Sequence, residues 1–214
     1  SIDDIGGVAA TGTYLFNETL DLGAVFSLDL RKLIQTDSVY SSDLIDSVTD
    51  IDARQDFDGT ASVDTNAEVF VQTSQDASSY SDFQKFANGT FKGRAFKFKC
   101  VLSTQDTNQD IRVSQLGYFA EFQRRVEQST TTIASGAGAK SITFDSPFFT
   151  GTSALLGANS NPPAIGITAF NMASGDFFEL SSITGSGFTV HFKDSSGSSV
   201  DRNFNFTAIG FGKG

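Results

Sequence analysis

The chain has no tryptophan, one cysteine, one methionine and one histidine in its 214 residues, and each scarcity excludes some chemistry. With Cys100 alone an intrachain disulfide is impossible, so packing or assembly must hold the fold. His191 alone leaves no histidine-rich metal site and a single imidazole to serve any Ser-His-Asp or Cys-His nucleophile. No apolar run approaches the ~20 residues a helix needs to span a bilayer, and no signal-peptide pattern opens the chain. The abrupt start at Ser1-Ile-Asp-Asp-Ile-Gly-Gly7 suits a fragment or a processed product of something longer. Bases are scarce in one region: residues 1–76 carry fifteen Asp/Glu against three Lys/Arg, a net −12, whereas residues 77–214 carry ten against twelve, a net +2. An acidic surface of this kind repels phosphate backbones, which argues against a nucleic-acid partner.

What is abundant is phenylalanine, 22 of it, with 20 glycines and many Ser and Thr. Phe supplies apolar area with no polar group to satisfy, which suits a sandwich interior or a subunit interface. Hydrophobic residues at 39% and charged ones at 19% describe a folded chain, and the lack of Ala/Leu/Glu/Lys runs points to strands and turns.

The plainest element is Gly89 to Leu102. Arg94, Phe96, Phe98, Cys100 and Leu102 fall on one side of an extended chain and Lys97 and Lys99 on the other, the period of a half-buried strand. Asn88-Gly89 is a turn signal before it, and the polar run Ser103 to Asp110 is a loop after it. Strands are also expected at Tyr14 to Phe16, within Thr19 to Leu33, at Glu68 to Thr73, and in the aromatic segment Leu116 to Phe122. Residues 37–67 hold eight of the fifteen acids in residues 1–76 and read as loops with one short strand or turn of helix. Arg124-Arg125-Val-Glu127 breaks the alternation, which places a domain junction near residue 127. Beyond it, Ser141 to Phe144, Ala164 to Phe170, Phe177 to Ile183, Phe188 to Lys193 and Asn203 to Phe211 read as strands separated by Gly-rich turns, the spacing of a small antiparallel sandwich. The expected fold is therefore all-β, with two antiparallel β-sandwich domains in tandem at 1–127 and 128–214.

Chemistry is thinly signalled. His191 alternates against Phe188, Val190 and Phe192, which puts it on the solvent or interface side of its strand. Asp50, Asp52, Asp56 and Asp58 could supply a glycosidase pair or cation ligands, but spacing alone sets no two of them across a cleft. Asp106-x-Asn108-x-Asp110 has the opening spacing of a calcium loop, yet Ile111 replaces its glycine and Gly117 its bidentate glutamate. Asn17, Asn88 and Asn205 each begin an Asn-x-Thr sequon. Cys100 belongs to the Phe96/Phe98 face as a small core residue. Phe148-Phe149, Phe177-Phe178 and Phe188 are candidates for core packing, a subunit interface or rings presented to a sugar. No catalytic, cofactor-binding or metal site is assigned, and no cofactor is expected.

Two groups of segments carry a family resemblance. Gly93-Arg94-Ala-Phe96-Lys-Phe98-Lys-Cys-Val-Leu102, a polar loop, and Ile111-Arg-Val113-Ser-Gln-Leu116 resemble a module of tail fibre and tail-tip proteins of tailed bacteriophages, as do Leu20-Asp-Leu-Gly23 and Glu68 to Ser74. Phe83 stands where that module often has tryptophan. In the second half Thr143-Phe144, Pro163 to Thr168, Met172 to Phe178, Gly187 to Val190 and Phe204 to Gly210 resemble the small terminal β-sandwich of such proteins, which is similar to the H-type lectin fold. The resemblance spans about residues 14–212. It implies a non-enzymatic virion protein, a homo-oligomer and in particular a trimer about the tail axis. Its partners would be other tail or baseplate proteins and a host cell-surface glycan or outer-membrane receptor. A secreted carbohydrate-binding module and a polysaccharide-degrading enzyme are the alternatives.

Overall fold

A computed structural model describes residues 8–40, 65–107, 109–151 and 162–212. Every regular element in it is a β-strand, the paired strands are all antiparallel, and no helix long and apolar enough to cross a membrane occurs among the described residues.

The first six strands are β1 (Thr11–Leu15), β2 (Leu20–Tyr40), β3 (Thr65–Ser74), β4 (Gln84–Lys85), β5 (Gly89–Thr104) and β6 (Gln109–Glu121). They form one sheet in the order β4-β3-β5-β2-β6, with β1 also on β5. β5 is its centre. One edge takes β3 in unbroken register from Thr65 opposite Thr104 to Ser74 opposite Ala95. The other edge is shared, β1 lying on the C-terminal half and β2 on the N-terminal half. Phe16 N–H donates to the Phe98 carbonyl between them, so residues 11–30 run along β5 as one interrupted strand. A bulge separates Asp21 from Phe26; within it Gly23 takes φ of 78° and donates its N–H to Asp21 Oδ1 at 2.8 Å.

Beyond Leu30, β2 leaves β5 and pairs with β6 as far as Tyr40 opposite Gln109. Leu116, Tyr118, Ala120 and Phe122 of that ribbon pack over the core made by Leu20, Leu28, Val69, Phe96 and Phe98, and Tyr118 stacks on Phe98 at 4.3 Å. Burial of each such large side chain contributes about 2 kcal/mol. The expected alternation of β5 holds from Phe96 onward. It fails one residue earlier: Ala95 and Phe96 are both fully buried, and Phe91, on the opposite parity, also reaches the core. Arg94 therefore sits where the inward face switches, and its guanidinium leaves the apolar side to bond Asp21 at 3.0 Å.

The remaining strands are β7 (Arg124–Gln128), β8 (Ile133–Ala134), β9 (Lys140–Thr143), β10 (Ala164–Phe170), β11 (Phe177–Ser181), β12 (Gly187–Lys193) and β13 (Asn203–Phe211). β10-β13-β7, with β8 also on β13, makes one sheet and β11-β12-β9 the other. The alternating residues of β12 and β13 meet between them: Phe188 lies 5.4 Å from Phe206 and Phe192 5.6 Å from Phe204, centroid to centroid. Phe144, Phe148, Val190 and Ala208 complete this buried cluster.

Arg124–Gln128 corrects one expectation. The segment read as a break is strand β7, paired with β13 from Arg124 opposite Phe211 to Gln128 opposite Thr207, so strand pairing changes from the first sheet to the second between Glu121 and Arg124. The two clusters also touch. Phe149 stacks on Phe122 at 4.2 Å and meets Phe26 edge-on at 5.5 Å, while Gly212 N–H donates to the Gln123 carbonyl.

Candidate functional site

The acidic candidates are quickly placed. Asp50, Asp52, Asp56 and Asp58 lie outside the described residues, as does Asn108 of the calcium-like spacing. The loop that holds it is shorter than expected, since β5 runs to Thr104 and β6 starts at Gln109, whose N–H donates to the Asp106 carbonyl. Among the described residues no group of three or more His, Cys, Asp or Glu is placed to hold a metal ion.

His191 does meet a hydroxyl. Its Nε2 lies 2.7 Å from Ser199 Oγ on the outer face of β12. Glu179, directly across on β11, is the acid that could orient the imidazole, but Lys193 Nζ donates to its carboxylate at 2.6 Å. That bond holds Glu179 below the ordinary glutamate range, and among the described residues no acid hydrogen-bonds the imidazole. Cys100 is buried in the first core, and burial pushes its thiol up, away from thiolate character.

Other polar groups serve the fold. The Asp176 side chain is 2% exposed and accepts from Ala173 N–H at 2.7 Å and from Arg202 Nε at 2.6 Å, which together draw its carboxyl below the ordinary range. Arg202 N–H in turn donates to Ser135 Oγ, so the 173–176 turn is tied to the start of β13 and the end of β8. Of the sequon residues, Asn88 accepts the Lys32 N–H through Oδ1, Asn205 lies within β13, and Asn17 is exposed between β1 and β2. Phe148 and Phe188 are core, Phe149 joins the two clusters, and Phe177 and Phe178 are exposed on β11. Tyr80 and Phe83 lie outside the first core and carry ammonium groups on their faces, Lys97 at 4.1 Å and Lys99 at 4.4 Å.

Two surfaces remain that the sequence reading did not assemble. One is an open cleft of about 400 Å³ lined by Tyr14, Phe16, Asn17, Glu18, Leu116, Gly117 and Tyr118. The interruption between β1 and β2 turns Asn17 and Glu18 outward, and the β2–β6 ribbon brings Tyr118 across to them. The rings form a row, Tyr14 to Phe16 at 5.9 Å and Phe16 to Tyr118 at 6.4 Å. Burial, assisted by the nearby Glu18 carboxylate, pushes the Tyr118 phenol up to about 12, so it stays a donor. No strand periodicity joins residues 14–18 to 116–118, so only the fold reveals the cleft.

The other surface is the outer face of the β10-β13-β7 sheet. Register puts Val126, Ile209, Phe211, Ala164 and Phe170 on this side together with Arg124, Gln128, Asn203, Asn205, Thr207 and Thr168, and no carboxylate is among the residues sharing it. Val126 is 56% and Phe211 53% exposed.

Scanned against protein-family models, curated proteins and solved structures, the chain matches none.

Proposed function

We propose that the chain is a structural and adhesive component of a phage tail, a tail fibre or tail-tip protein that works without catalysis as a trimer at the host-facing end of the virion. The observation that carries the reading is the acid-free outer face of β10-β13-β7, with its exposed Val126 and Phe211. Copies with a net charge of −10 repel one another, and they can associate most readily through a face with exposed Val126 and Phe211 and no acid. The motif segments that resemble tail modules fall on β2, β3, β5 and β6 and, in the second half, on or beside β9 to β13, which agrees with the resemblance without resting on it alone. Other tail or baseplate proteins would extend the assembly, and the two β halves would divide attachment between them.

Native mass by light scattering after size exclusion tests this. The expected result is a concentration-independent trimer that V126E with F211E converts to monomer while the melting temperature stays within a few degrees. A wild-type monomer at every concentration overturns the trimeric reading. The alternative of a carbohydrate-binding module working as a single chain is favoured by one observation, the aromatic cleft.

A further inference from the structure

We propose that the cleft between the β1–β2 junction and β6 binds one pyranose ring of a neutral glycan. This deepens the attachment reading by naming a ligand class, and it places the contact in the first half of the chain and away from the lectin-like second half.

The cleft leaves an aromatic face and three polar groups unused. Tyr14 is 53% exposed, although the ring packs at its edge on Phe16. An aromatic face held in place on one side and open on the other is a platform for the apolar C–H face of a sugar. The Asn17 amide, the Glu18 carboxylate and the Tyr118 hydroxyl make no hydrogen bond to other described residues, yet all three line the same cleft. They form a complementary set. The amide donates and accepts, the carboxylate accepts, and the phenol, with its proton held to about 12, donates. A ring of hydroxyls, each both donor and acceptor, is the ligand that uses all three at once.

Charge narrows the class. Among the described residues Glu18 is the one charged group lining the cleft, and it belongs to the acidic third of the chain, so phosphates, uronates and sialates are disfavoured. A neutral or N-acetylated hexose meets no such penalty. The volume falls within the range of small-molecule sites, about 300–1,000 Å³. Its openness leaves much of a bound ring in water, so the affinity expected for a monosaccharide is weak, a Kd on the order of 1 mM. Repetition of the site in an oligomer would raise the avidity for a polymeric surface.

Saturation-transfer NMR on the purified protein tests the site, with glucose, galactose, mannose and N-acetylglucosamine as neutral probes and galacturonate and N-acetylneuraminate as anionic ones. The expected result is transfer to at least one neutral sugar, weakened about tenfold by Tyr14→Ala and retained in Phe177→Ala, which removes an exposed ring in the second half. Glu18→Gln is expected to admit the anionic probes. Tyr14 is largely exposed, so its truncation leaves the fold intact, checked by an unchanged melting temperature. No transfer to any neutral sugar, transfer indifferent to Tyr14→Ala, or a native mass altered by Tyr14→Ala, which would make the cleft a subunit contact, each overturns the proposal. The outcome is independent of the tail reading: a monomer that binds galactose through Tyr14 removes the trimer and keeps the site, while a trimer that binds no sugar does the reverse.

Discussion

Single residues of this chain show where its margins lie. At Gly187 an added Cβ would fall 2.1 Å from the Ile142 carbonyl oxygen, on the β12–β9 pair. Backbone cannot yield as a side-chain tip can. Gly187→Ala is therefore expected to cost about 3 kcal/mol by chemical denaturation, the upper end for overpacking, whereas Gly197→Ala in the turn at 194–198 meets no atom and pays only for its φ of 82°. Carboxylates give the second residue-scale prediction. Asp176, Asp194 and Asp21 are all drawn below their ordinary value near 3.8, by the Ala173 N–H and Arg202, by Ser196 and backbone N–H groups, and by Arg94. A depressed folded pKa means stability that is present above the unfolded value and lost as pH falls through the folded one. The melting temperature should hold from neutral pH down to about pH 4 and fall below it. Asp176→Asn should lower the melting temperature at neutral pH and flatten the acid limb, as measured by calorimetry at several pH values.

Among the elements, legibility followed the side chains that alternate. β10, β12 and β13 were readable because Ile165, Ile167 and Ala169, then Phe188, Val190 and Phe192, then Phe204, Phe206 and Ala208 point inward, with Gly166 and Thr168, Thr189 and His191, and Asn205 and Thr207 between them. β7 was missed for the opposite reason. Its inward residues are Arg125 and Glu127, only 17% and 15% exposed, while Val126 points out. Arg125 lies flat on Phe148 at 3.9 Å and bonds the Ser146 carbonyl, so a charged side chain does the work of an apolar one. With Arg125 and Glu127 inward and Val126 outward between Arg124 and Gln128, the strand offers no hydrophobic alternation, and hydrophobicity alone reads it as a break. The second half of β2 escaped for a related cause: Arg31, Lys32 and residues 35–38 are exposed, and their pairing with β6 is fixed by the partner. The cleft was illegible because its two walls are about a hundred residues apart in sequence. Amide hydrogen exchange gives the element-scale test. The amides of β7 that bond β13 should exchange as slowly as those of β10, with Arg125→Ala accelerating them, since it removes the guanidinium that covers Phe148.

At the scale of the molecule, Phe149 decides whether the two clusters melt together. Its ring belongs in sequence to the second half but stacks on Phe122 and abuts Phe26 of the first, and a Cβ on Gly212 would come within 3.0 Å of both Phe149 and Phe26. Wild type is expected to unfold in one calorimetric transition. Phe149→Ala should cost about 2–3 kcal/mol, below the range for a fully buried ring because this one is only half-buried, and should split the transition in two.

The pairing of β7 with β13 carries one more consequence. The chain enters the second half at Arg124 and returns to Phe211 directly across from it, with Gly212 bonded back to Gln123. Tension applied across that point pulls the two strands apart from their shared end, breaking their cross-links one after another, while the long register of β3 on β5 would have to slide as a block. Under mechanical load the second half should peel open at low force like a zipper, and the first should resist until it shears.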